Sequence, residues 1–419
     1  MSDETTETTG STPEGGNGIP GPRLRRLKIN KFRNVRPTEL VFDEEWNVLL
    51  GKNGTGKTTL LELIAATIRG DLEAFEGVDY DLEAELSFGA VDVKWSVKNA
   101  EPSAVPERVA GLPAIVHSAK RRFHAELFAP DLGNRTFIGD DRGIDGLHGT
   151  RAISPAGGSA LFAVMVLLGY HASSKEHWFR KAARAASRSA DVLRFDEILT
   201  HFQRISPNEN MTLSTDVTGR SLASPELVQA FGDSIWSADE RISVEHTNLP
   251  FLRRFVDLCG FANASLHFEL LKRTTFEDDI YALYGRPSFL FRRKNGDELR
   301  EQHLSFGQKR LLSFLYYLTL SNPVVADELV DGLHYDWISA CVEACEGRQK
   351  FFASQNPLLV DHMGFETRES VKSRFIRCSL DGDEMVWENF TDEEADDFFV
   401  AYRTGIQAVS EVLRQKGLW

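Results

Sequence analysis

Cysteine is scarce in this 419-residue chain. Cys259, Cys341, Cys345 and Cys378 are the four present, none in a CxxC pair and none beside a histidine at zinc-ligand spacing. That pattern argues against a cysteine zinc knuckle and against a disulfide-stapled scaffold. Cys341 and Cys345 lie four apart in a helical stretch, so they share one helix face and read as core thiols. Long apolar runs are also missing, and none approaches the ~18–20 residues of a membrane span. The first residues are rich in Thr, Glu, Gly and Pro and hold no apolar h-region. With reduced thiols, this makes the cytoplasm the expected location and a membrane partner unexpected. Positive charge is the third deficit. Lys and Arg number 48 against 62 Asp and Glu, a formal charge of −14. The global balance therefore argues against a dedicated nucleic-acid binder and leaves only local basic patches open.

What is present suits a globular protein: 42% of residues are hydrophobic and 26% charged, enough to bury a sizeable core. Residues 1–22 carry too little apolar surface to order themselves and read as a disordered tail. Strands are expected at 24–31, 38–42 and 46–50, the last an apolar run that ends at Gly51 and suits a central position. Helix follows, with Leu60, Leu61, Ile64, Ala65 and Ile68 in an i, i+4, i+8 stripe. Residues 81–88 and 91–97 alternate as a strand pair, and 113–117 read as a buried strand. From about 120 to 270 the pattern changes to a Gly- and Asp-rich loop at 139–157 and helices at 160–170, 175–195, 226–236 and 252–261. Strand returns at 288–293. Residues 375–380 and 385–390 flank an Asp-Gly turn and form a hairpin, after which Thr391 caps a final helix running towards Leu413. The division that follows is a tail at 1–22, a first lobe at 23–122, a mainly helical insertion at 123–270 and a second lobe at 271–419.

Gly51-Lys52-Asn53-Gly54-Thr55-Gly56-Lys57-Thr58 is a complete GxxxxGK[ST] between strand and helix. Its glycines let successive backbone N–H groups turn inward around phosphate oxygens. Lys57 aims its charge at the β- and γ-phosphates, Thr58 suits Mg²⁺, and the helix beginning at Thr58 and Thr59 adds its positive end to the anion site. Leu304-Ser305-Phe306-Gly307-Gln308 precedes an apolar helix, so Ser305, Gly307 and Gln308 make a second anion-binding surface at a helix N-terminus. Val324-Val325-Ala326-Asp327-Glu328 reads as a short buried strand delivering two carboxylates. Asp327 is placed to hold Mg²⁺ and Glu328 to polarise the attacking water. Pro323 is tolerable only because the strand starts there.

With these motifs in place, the chain resembles the RecF/SMC-like group of ABC-type ATPases, which includes AAA-named ATPases of bacterial DNA repair and anti-phage systems. The likeness is carried first by Leu24, Leu27 and Ile29, by Phe32-Arg33-Asn34, by the P-loop, and by the run from Val116 to Arg121. It resumes from Leu304 to Asp361, where Asp327 to His334 is similar to an extended Walker B and D-loop, and Phe351 to Pro357 to the switch segment. The resemblance implies an α/β P-loop NTPase with a split ABC-type head and ATP and Mg²⁺ as cofactors. It also implies a head-to-tail homodimer, or a higher homo-oligomer, built on an ATP sandwich. In that sandwich Ser305 caps the γ-phosphate held by the opposite copy.

Two positions depart from the family pattern. Gln355 stands where the switch segment carries a histidine; its amide donates a hydrogen bond but cannot become cationic, which implies slow hydrolysis. No glutamine occurs between Thr58 and Gln203, so no Q-loop residue is assigned. The stretch between the motifs is too short for a long coiled-coil arm and shows no sustained heptads. Asp381-Gly382-Asp383 reads as a hairpin turn rather than part of a nuclease metal site. The helix at 175–195, with Arg180, Lys181, Arg184 and Arg188, reads first as a solvated face and second as a contact for DNA or an acidic partner. Three roles compete: a sensor ATPase of a bacterial defence system acting through a separately encoded effector, nuclease or toxin; a RecF-like DNA-repair ATPase that binds DNA; and, last, a transporter ATPase subunit.

Overall fold

The structure is a computed structural model. It describes most of residues 22–99, strands between 121 and 145, the pairs 151–152 and 192–193, a few helical residues at 227–230, and 240–417 apart from short stretches that include 321 and 355. All but the last residue of the expected tail at 1–22, the strand at 113–117, the helix at 160–170 and nearly all of the basic helix at 175–195 lie outside the described residues.

The first three strands are β1 (Arg23–Phe32), β2 (Thr38–Val41) and β3 (Trp46–Leu50), close to their expected positions. Every residue of β3 is buried, as befits a strand paired in parallel on both edges. The helix α1 (Lys57–Arg69) buries Leu60, Leu61, Ile64, Ala65 and Ile68, the whole expected stripe. Each large member is worth up to about 1.5–3 kcal/mol of burial. Gly70, with φ 68°, ends the helix in the left-handed conformation its carbonyls require. The antiparallel pair β4 (Tyr80–Phe88) and β5 (Val91–Asn99) also matches the alternation read from sequence.

Beyond residue 120 the described chain departs from the expected helical insertion. It runs through β6 (Arg121–Ala129), β7 (Gly133–Asp140), β8 (Gly143–Asp145) and β9 (Arg151–Ala152). Within the Gly- and Asp-rich text expected as a loop at 139–157, Gly139 pairs with Ile144 and Asp145 with Arg151, so ladder pairing overrides weak strand propensity there. Val192–Leu193 form a short strand, β10, rather than the end of a helix. Then come β11 (Arg241–Glu245), α2 (Pro250–Cys259), β12 (Asn263–Phe276), β13 (Asp279–Arg292) and β14 (Glu298–Arg300). Only α2 in this series keeps the helical expectation, and β13 extends the strand expected at 288–293.

The second lobe holds α3 (Phe306–Leu320), β15 (Val324–Asp327), α4 (Tyr335–Ala344), β16 (Lys350–Ala353), α5 (Pro357–Val360) and α6 (Arg368–Arg374). The hairpin β17 (Phe375–Asp381) and β18 (Glu384–Asn389) turns at Gly382, φ 63°, as its Asp-Gly sequence requires. Thr391 caps α7 (Asp392–Arg403) with a full capping box to Glu394. The expected single final helix is in fact two, α7 and α8 (Val409–Gln415); the sequence places the helix-weakening Gly405 between them.

Among the described residues these strands form three sheets. The order β10-β15-β16-β3-β17-β18 is parallel up to β17 and closes with the antiparallel hairpin. The order β2-β1-β4-β5-β6-β7-β8-β9 is antiparallel throughout, and β11-β12-β13-β14 forms the third sheet. Helix α1 lies in one core with the antiparallel sheet, while α2, α3 and α4 share the other. Gln349 fastens the sheets together. Its fully engaged amide donates to Leu24 O and Asp43 O and accepts from Leu24 N–H, each at 2.8 Å. Cys341, Cys345 and Cys378 are buried core thiols.

Candidate active site

The loop from Gly51 to Gly56 joins central strand β3 to α1, so the sheet aims it and the helix dipole backs it. Gly51, with φ 146°, could not carry a Cβ, which would fall 2.1 Å from Cys378 O. Gly54 and Gly56 sit at φ 83° and 84°, the left-handed region that turns backbone N–H groups towards one centre. Lys52, Asn53 and Gly54 are exposed at the mouth, whereas Thr55 and Lys57 are buried. Lys57 Nζ donates to Gly51 O at 2.8 Å and to Lys52 O at 3.0 Å, and Thr55 Oγ1 donates to Lys52 O at 2.8 Å. The ammonium is thus folded into its own loop, where incoming phosphate oxygens can replace the two carbonyls.

Beneath the loop lies the closing hairpin, a support the sequence reading did not identify. Trp387 is fully buried, and its indole N–H donates to Thr55 O at 3.1 Å. A Cβ on Gly56 would meet Met385 Sδ at 2.4 Å and Trp387 Cζ2 at 3.1 Å. The hairpin is itself tied to the antiparallel sheet: Met385 N–H donates to Asn34 O, Arg36 N–H to Met385 O, and Thr38 Oγ1 to Trp387 O. A tryptophan in a strand gives no local cue to this task; only the pairing of β17 with β3 brings it under the loop.

Strand β15 delivers the two carboxylates. Asp327 ends the strand, and the Thr58 hydroxyl donates to its Oδ2. Two hard oxygen donors therefore stand side by side at the first turn of α1, a set that fits Mg²⁺. Glu328 follows in the left-handed conformation, φ 49°, with its N–H donating to Ala353 O at 2.8 Å. Such a backbone is uncommon for glutamate and is held only by its surroundings. Tyr317 from α3 clamps the strand, its hydroxyl bonded to Val325 N–H at 2.9 Å and to Val325 O at 3.2 Å.

The residues expected to form a second anion-binding surface assemble at the start of α3. Ser305 N–H donates to Gln308 Oε1 at 2.9 Å and Gln308 N–H to Ser305 Oγ at 3.2 Å, a reciprocal cap. Gly307 is required by close approach, since a Cβ there would fall 2.3 Å from Gly332 O. The turn after Glu328 is thereby seated against the start of α3. Arg310 reaches across this seam and donates to Glu328 O, a link the sequence reading also missed. Burial pushes the Cys259 thiol up to about 12, against a Gln308 hydrogen bond that pulls it down.

The structure therefore brings Thr58, Asp327 and Glu328 to the P-loop side and joins Ser305, Gly307 and Gln308 in a separate capped group. Gln355 lies outside the described residues. Asp381-Gly382-Asp383 is the hairpin turn, with Asp381 paired to Arg36.

Residues 23–99 match the model of the AAA ATPase domain family. The matched stretch carries the glycine-rich loop and the strands around it. Segments of this chain are similar to two curated proteins described as DNA replication and repair protein RecF. The one from Teredinibacter turnerae is 47% identical over 49 residues, 12% of this chain and 13% of the relative. The one from Haemophilus influenzae is 51% identical over 41 residues, 10% and 11% of the two chains. The matched segments thus span about an eighth of those relatives or less. Among solved structures, the SMC head domain from Thermotoga maritima gives a TM-score of 0.36 at 13% identity, covering 88% of this chain and 99% of that one. The recombination mediator protein RecF-ATPrS gives 0.37 at 12% identity, covering 90% and 100%. The glycine-rich loop has the expected context, strand before and helix after. No helix among the described residues is long and apolar enough to cross a membrane.

Proposed function

We propose that this chain binds ATP with Mg²⁺ and hydrolyses it, working as a head-to-tail homodimer in which each site joins the P-loop of one copy to Ser305 of the other. One observation carries the reading. The P-loop helix and the acidic strand meet at Thr58 and Asp327, with Glu328 next in line on a turn held outside ordinary backbone geometry. The P-loop N–H groups and Lys57 bind the β- and γ-phosphates. Thr58 and Asp327 would hold Mg²⁺, which neutralises phosphate charge when bound. Glu328 accepts a proton from the water that attacks the γ-phosphorus, and Gln355 donates a hydrogen bond to a γ-phosphate oxygen. Ser305 and Gln308 close on each other, which suits a surface offered to a second copy.

Hydrolysis alone changes nothing outside the protein, so closure of the dimer is read by another component. We assign the chain to the regulatory ATPases of bacterial defence, acting through a separately encoded nuclease or toxin. A RecF-like role on DNA is the second reading, favoured by the local identity to RecF proteins. Lys57→Ala is expected to abolish tight ATP binding, and Glu328→Gln to keep binding while losing turnover. ATP affinity and phosphate release on both variants test the site, and parental turnover by Glu328→Gln would remove Glu328 from its role. Co-purification of an effector supports the defence reading, whereas ATPase stimulation by DNA without an effector supports repair.

A further inference from the structure

The left-handed turn at Glu328 needs a restraint, and the structure shows one that comes from the opposite motif. Arg310 lies one helical turn after Phe306 on α3, so the two side chains share a face. The Arg310 guanidinium stands over the Phe306 ring, 5.2 Å from its centroid, and donates to the carbonyl oxygen of Glu328. The Phe306 ring is itself seated. A Cβ on Gly332, whose φ is 73°, would lie 2.7 Å from Phe306 Cδ1, so only glycine lets the turn close against the ring edge. Phe306 is nevertheless 62% exposed, on the same surface as Ser305. A large aromatic exposed to water at a helix start gains little by burial there. Its use is to flank a planar cation, which stacks on an aromatic face as an ammonium does not.

We propose that Arg310 is a positioning residue for Glu328, fixing the backbone turn that aims the carboxylate, and that the Phe306 ring braces Arg310 in that task. This rests on the reading of Glu328 as the group that takes the proton from water. The guanidinium spans the seam between the two motifs, so whatever settles on the Ser305 surface also presses on the restraint of the same copy's Glu328. One site's occupancy then bears on the geometry of the other.

The test uses the full chain, with steady-state ATP hydrolysis and equilibrium binding of ATP measured separately. Arg310→Met keeps the aliphatic stem and removes the donor. It is expected to lower kcat on the order of tenfold, the scale of one lost positioning hydrogen bond, while ATP affinity stays within about twofold. Arg310→Lys, which still donates to a carbonyl, is expected to recover part of the loss, and Phe306→Ala to show a smaller loss of the same kind. The deciding readout is the double variant. If Arg310 acts through the Glu328 carboxylate, Arg310→Met adds no further loss to Glu328→Gln. An equal proportional loss in both backgrounds overturns the proposal, as does parental kcat in Arg310→Met or a loss confined to ATP affinity. If Glu328→Gln alone turns over normally, the underlying assignment of Glu328 fails first, and the positioning role falls with it.

Discussion

Replacing Gly56 with alanine perturbs the P-loop at the point where backbone strain and packing coincide. At φ 84° an L-residue pays for the left-handed conformation, a cost of roughly 1–2 kcal/mol. The new Cβ also arrives 2.4 Å from Met385 Sδ and 3.1 Å from Trp387 Cζ2. Met385 has flexible torsions and can withdraw. Trp387 cannot, because it is fully buried and its indole N–H is committed to Thr55 O. Overpacking of this kind costs about 1–3 kcal/mol, so the expected destabilisation is about 2–5 kcal/mol in all. Denaturant unfolding of Gly56→Ala, Met385→Ala and the double variant separates the two contributions. The double variant is expected to recover the Met385 share of the packing cost and to leave the Trp387 share and the backbone part. ATP affinity is expected to fall in Gly56→Ala, because relief of the clash lifts the loop from its support. A single variant within about 0.5 kcal/mol of the parent, the usual range of a surface change, would refute both the strain and the platform.

Three further outcomes are expected. Ser305→Arg places a long cation where the partner's nucleotide would sit; light scattering with ATP and Mg²⁺ is expected to show dimer in Glu328→Gln and monomer once Ser305→Arg is added, and a dimer in both would contradict the sandwich. Gln355→Ala is expected to slow turnover on the order of tenfold, the kinetic equivalent of one hydrogen bond to a charged group, while Gln355→His preserves or raises it; parental turnover in Gln355→Ala would remove it from the switch role. Burial pushes the Cys345 and Cys378 thiols up to about 12 and Cys341 up as well, which lowers their thiolate fraction at any working pH. Alkylation of the folded protein near pH ~8 is therefore expected to leave all three unmodified until denaturant is added, and rapid labelling of any of them would place it outside the core.

What could be read from sequence was what depends on neighbours along the chain. The P-loop was legible because its glycines, lysine and threonine serve one local geometry, and β3 because a short, largely apolar run bounded by Gly51 has few alternatives. The Asp-Gly turn and the Thr391 capping box were legible for the same reason, each being complete within a few residues. Trp387 under Thr55 was not, since 332 residues separate the partners. Arg310 was near enough to the Leu304–Gln308 motif to be noticed, but its acceptor is a main-chain carbonyl, and every residue supplies one. The strands β6 to β9 were missed because their pairing comes from β5 and from each other, while the Gly and Asp of β7 and β8 argue for loop.

The placement of β3 also bears on how the chain is made. Both of its ladder partners, β16 and β17, are encoded more than three hundred residues later: Asn47 reaches the Lys350 carbonyl across 303 residues. During synthesis from the N-terminus, a strand that ends up fully buried and the loop it carries emerge with two unsatisfied edges and wait for most of the remaining chain. Unpaired apolar edges recruit other chains, so the nascent protein passes through an interval in which its future centre is its stickiest part. Removing β17 and β18 would take away the last chance of closing the sheet, however complete the glycine-rich loop already looks.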